Sequence, residues 1–152
     1  MKKFRMQLNS FSNLLFENLK EHTLLLIYLP LAVYWVSLFI LTTLPVDTFP
    51  YLFQYQDKIE HFFAYGFLAF LLTLALFFQR RSRIISSNAF LFAFIFIVIY
   101  GAVDELHQLF VPGRFCDIFD WIADTIGGAL GIGIVYSFLK SRLVREPESK
   151  NI

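Results

Sequence analysis

The chain has 152 residues, of which 57% are hydrophobic and 16% charged, with 20 phenylalanines and a net charge of +1. Soluble domains average about 25% charged and about 45–50% apolar residues, so a water-soluble fold is a poor match, and nothing in the bulk charge points to nucleic acid. The single cysteine, Cys116, excludes an internal disulfide and leaves the redox compartment open.

Residues 1–21 place Phe4, Leu8, Phe11, Leu15 and Leu19 on one helical stripe, with Lys2, Arg5, Asn9 and Asn13 off it. That is the pattern of a helix lying in a membrane interface. Three charge-free runs follow, over residues 23–46, 62–79 and 84–103. Crossing about 30 Å of hydrocarbon takes roughly 20 helical residues, so each predicts a transmembrane helix. A fourth run, 121–139, is interrupted only by Asp124. Strands are a poor alternative, since the runs lack polar alternation and a bilayer forbids open sheet edges. The first run is longer and later than the core of a cleavable signal, so a retained helix is expected. Between the first two runs, Phe49, Tyr51, Phe53 and Tyr55 alternate, as aromatics that anchor a loop at headgroup depth. The predicted fold is an all-α membrane protein. It is a four-transmembrane-helix bundle with an N-terminal amphipathic interfacial helix. Its parts are a cytoplasmic or interfacial segment (1–22), the transmembrane domain (23–140) and a polar cytoplasmic tail (141–152).

Basic residues gather on the cytoplasmic side of membrane proteins. Eleven of the 13 basic residues lie in the N-terminal segment, the short loop holding Arg80, Arg81 and Arg83, and the tail. Only Lys58 and Arg114 fall in the other two connections. Both termini are therefore expected in the cytoplasm. Asp47, Asp57, Glu60, Asp104, Glu105, Asp117, Asp120 and Asp124 then collect outside or at the outer edge.

Those outer segments hold the candidate chemistry. Asp57 and His61 are four apart and share a helix face, as do Asp104, His107 and Gln108. Asp117, Asp120 and Asp124 form a second stripe at i, i+3 and i+7. Pro112-Gly113 has the form of a type II turn. Gly127 and Gly131 form a small-xxx-small pair for close helix packing. Ionisable groups at membrane depth are expensive and face the bundle interior, so Asp124 and His61 are expected to find partners such as Arg114 or Lys58. Asp57, His61, Asp104, His107, Gln108, Arg114 and Asp120 are expected to converge, with Arg114 holding an acid through its two-pronged guanidinium.

The ordered set Asp57-Lys58-x-x-His61-Phe62 with Tyr65, Asp104-Glu105-x-His107-Gln108, Pro112-Gly113-Arg114, Asp117-x-x-Asp120, Asp124, Gly127 and Gly131 resembles the VanZ-like family of bacterial membrane proteins. The resemblance covers residues ~40–135; this chain has Asp124 where the family often has Asn. It implies a four-helix protein of the cell envelope, and the family's namesake is linked to low-level teicoplanin resistance. Three functions fit the residues. One is a non-catalytic protein that binds membrane lipid, a lipid-linked wall precursor, a glycopeptide or a partner at the outer leaflet. Another is an enzyme or metal-dependent site acting on a lipid-linked substrate, with carboxylates and His as acid/base groups or as ligands of a divalent metal. The third is a transporter. No His-Glu-x-x-His, Walker loop or nucleophile elbow is present.

Overall fold

The computed structural model describes residues 2–45, 50 and 52–143, with side chains from 11 onward to 140. The expected aromatics Phe49 and Tyr51 and the acid Asp47 lie outside the described residues. The elements are α1 (Lys2–Glu21), α2 (Leu24–Thr43), α3 (Gln56–Phe78), α4 (Arg83–Ser87), α5 (Ala89–Gln108) and α6 (Ile118–Leu143). No strand occurs among the described residues. Four helices, α2, α3, α5 and α6, are long and apolar enough to cross a membrane. The chain is thus an all-α, multi-pass membrane protein.

The boundaries follow local chemistry. α2 opens with a π-helical turn, Leu24–Tyr28, just ahead of Pro30. Proline has no N–H and crowds the carbonyl four residues back, and a wider turn relieves that crowding. α3 begins at Gln56, six residues before its charge-free run. This puts Lys58 and His61 inside the helix rather than on a loop. The third run, expected over 84–103, is split instead. α4 ends at Ser87, Asn88 caps it, and α5 starts again at Ala89 and runs to Gln108. Ser87 Oγ donates to Arg83 O and Asn88 Nδ2 to Ile84 O. Such side chains compete with the helical backbone and break it.

α3 and α6 pack most extensively, with α5 against both and α2 at the edge. Glycine permits this. A Cβ on Gly127 would run into the Phe62 carbonyl, and one on Gly131 into the Gly66 carbonyl. Tyr65, Leu68, Ala69 and Ile97 form a buried cluster near the middle. Ile27, Leu74, Ala75, Val135 and Leu139 form another, and Phe16 and Leu19 of α1 pack onto it. Phe11 and Leu15, expected on the same stripe as Leu19, are exposed.

Candidate functional site

The site lies at the end of the bundle where α3 and α6 begin and α5 finishes. Asp117 stands just before α6, and its Oδ1 accepts the Phe119 N–H at 2.9 Å. Aspartate is favoured at this cap because it takes an otherwise orphaned helix donor. The cap sets the phase of α6, so Asp120 and Asp124 turn toward α3.

Two polar rungs join α3 to α6. In the outer rung, Lys58 Nζ lies 2.9 Å from Asp57 Oδ2, 2.8 Å from Asp117 Oδ2 and 3.0 Å from Asp120 Oδ1. The ammonium has three donors, one for each acid. This contact holds the Asp117 carboxyl below the usual aspartate range. One turn deeper, His61 Nδ1 donates to Asp124 Oδ1 at 2.9 Å and lies 3.9 Å from Glu105 Oε1. Asp124 is completely buried, and its second oxygen, Oδ2, has no hydrogen-bond partner.

α5 supplies the third wall. Its residues Asp104, Glu105 and Gln108 are all buried. Tyr65 donates to Asp104 Oδ2 at 2.9 Å. Glu105 accepts from Gln108 Nε2 at 3.3 Å and, through Oε2, from the Asp117 backbone N–H at 2.8 Å. Gly101, one turn before Glu105, leaves room for Asp124, since a Cβ there would lie 3.0 Å from Asp124 Oδ2.

Three expectations fail. Arg114 does not hold an acid. Its Nε donates to Leu44 O at 2.9 Å and its Nη2 to Leu41 O at 3.3 Å. These carbonyls belong to the C-terminal end of α2, where the last carbonyls of a helix lack intrahelical donors. The Pro112-Gly113 turn aims the arginine there. Gly113 has φ 76°, and Arg114 N bonds Val111 O at 3.1 Å, as a type II turn requires. The second is His107, which stays out of the acid cluster. Its ring stacks on Phe39 at 5.4 Å, and its buried Nδ1 has no partner. Third, the expected partnership of His61 and Asp124 with Arg114 or Lys58 is replaced by a bond between the two. The other expected residues do come together: His61, Glu105, Gln108, Asp117 and Asp124 through direct contacts, Asp57 and Asp120 through Lys58, and Asp104 through Tyr65.

Tyr65, expected only as part of the motif set, and Glu60, only as one of the outer acids, also belong to the site. Tyr65 is four residues after His61, and that spacing was the available signal. Together with Leu38, Leu41, Thr42, His61, Ala64 and Arg114, they line a cavity of about 290 Å³ between α2 and α3. On the other side, a cavity of about 590 Å³ is lined by residues including Glu105, Cys116, Asp117 and Trp121.

Neither curated proteins nor solved structures contain a match to this chain. The VanZ/LLP1 family profile, however, matches residues 4–140, which takes in all four spanning helices and every residue of the buried polar cluster. The chain belongs to the VanZ/LLP1 family.

Proposed function

We propose that the chain binds an amphipathic envelope molecule, a lipid or a lipid-linked wall precursor, in the outer leaflet. The carrying observation is the α2–α3 cavity. One part of its wall is apolar, from Leu38, Leu41 and Ala64; the other is polar, from Glu60, His61, Tyr65 and Arg114. An acyl or prenyl chain suits the first and a headgroup the second, and convergent polar groups in a mostly apolar cleft are the usual form of a ligand site. The basic-residue split supports an orientation with both termini in the cytoplasm and this end outside. A contribution to teicoplanin tolerance, as for the family's namesake, is part of the same proposal.

The test is native mass spectrometry of purified protein titrated with a synthetic polyprenyl phosphate. We expect one molecule per chain, and about tenfold weaker retention once Leu41→Trp fills the apolar wall. Equal retention by the folded Leu41→Trp protein would overturn the reading. Catalysis on the same molecule is the second reading. It is favoured by His61, which lines the cavity with a carboxylate behind its ring, as a general base is commonly oriented. In that case His61→Gln should stop conversion of a labelled lipid while retaining its binding.

A further inference from the structure

We propose that His61, Glu105 and Asp124 hold a divalent transition-metal cation, zinc or manganese. The two acidic groups at this end of the bundle differ in one respect. Asp57, Asp117 and Asp120 already surround a cation, the Lys58 ammonium. His61, Glu105 and Asp124 form the second, deeper group, with ligand atoms all within 4.8 Å of one another. Lys58 is committed to the outer group, and Arg114 is committed to the carbonyls of Leu41 and Leu44.

Asp104, Glu105 and Asp124 are at most 4% exposed. His61 is the basic side chain set against Glu105 and Asp124. Burying an unpaired charge costs far more than burying a paired one. The structure also leaves one ligand atom idle. Asp124 Oδ2 is buried without a partner, against the face of α5 that carries Gly101 and Glu105.

The spacing suits a small ion. Zinc takes histidine nitrogen and carboxylate oxygen at about 2.0–2.2 Å, so two of its ligands cannot stand further apart than about 4.4 Å. The separations from His61 Nδ1, 2.9 Å to Asp124 Oδ1 and 3.9 Å to Glu105 Oε1, lie inside that limit, and the two carboxylates approach each other to within 4.8 Å, so a small closure onto the ion completes the set. One imidazole with two carboxylates favours zinc or manganese over calcium or magnesium, which prefer all-oxygen sites. Three protein ligands leave a position open, the arrangement of reactive rather than structural zinc. Gln108 Nε2, 3.3 Å from Glu105 Oε1, and the Asp117 N–H, 2.8 Å from Oε2, would orient the Glu105 carboxylate. The ion site does not depend on the lipid reading. If both hold, the cation gives an otherwise acidic end a means of attracting phosphate.

The experiment uses the full chain in detergent, stripped with EDTA and titrated separately with Zn²⁺, Mn²⁺, Mg²⁺ and Ca²⁺ by calorimetry, with no lipid ligand present. The expected result is one Zn²⁺ or Mn²⁺ per chain, bound at least ~10-fold more weakly by Glu105→Gln and Asp124→Asn. Glu17→Gln, on exposed α1, should bind like the parent protein. Cobalt substitution gives a second readout that needs no variant to fold, because a visible spectrum of a nitrogen-ligated ion is expected from the parent protein. No stoichiometric ion and no such spectrum, equal binding by every folded variant, or binding of Mg²⁺ or Ca²⁺ alone would each overturn the proposal. The first of these would leave protons as what neutralises the cluster.

Discussion

At Asp117 one side chain does two jobs, capping α6 and accepting the Lys58 ammonium. Both favour its charged form, so its carboxyl titrates below the ordinary aspartate range. The sign follows from linkage: a group that loses its proton more readily when folded stabilises the fold above its unfolded pKa. That contribution is complete above about pH 4 and is lost as the pH falls through the lowered folded value. Thermal stability in micelles should therefore fall on acidification from pH 5 to 3, and Asp117→Asn should flatten the decline while retaining a capping oxygen. An unchanged slope in Asp117→Asn would show that other carboxylates carry it. Arg114 shows the limit of reading side chains from sequence. A guanidinium among so many acids invites an ion pair, but the turn that precedes it sets its direction. That direction leads to α2, which is 70 residues away in the chain.

The helices themselves were legible, because a charge-free run of spanning length is too apolar for a water-facing helix and too long for a strand. Their ends were less so. The start of α3 and the break at Asn88 depend on which polar side chains bond the backbone, and hydropathy does not record that. The Gly127/Gly131 spacing was legible as a packing signal, but its partner was not. The structure sets these glycines against the carbonyls of Phe62 and Gly66 on α3. Gly127→Ala and Gly131→Ala should each destabilise the bundle by about 1–3 kcal/mol through overpacking. Gly133→Ala meets nothing within 4 Å and should be neutral or slightly stabilising. Unfolding of the three variants by denaturing detergent checks the contrast; equal losses at 131 and 133 would refute the packing account.

For the whole molecule, the gathering of the polar residues at one end was readable from helix order and spacing. The bonds they make were not, because these depend on how α3, α5 and α6 are rotated against one another. Which side of the membrane that end faces is open to a direct check. Cys116 is the chain's single cysteine, and it is exposed beside Asp117. In intact cells an impermeant thiol reagent should label it without any substitution. Labelling only after permeabilisation would reverse the orientation. The position of α2 has a further consequence. Only 11% of its apolar stretch is buried by the rest of the chain, against 50% for α3. Aromatic edges hold it, Trp35 on Phe96 and Tyr34 on Phe67, together with the Arg114 tether. If the cavity behind it takes a lipid as proposed, a sideways displacement of α2 within the bilayer plane would admit that lipid without passage through water. Its occupancy would then follow its mole fraction in the leaflet, and diluting the protein with more detergent should empty the site even when the bulk concentration of lipid is held constant.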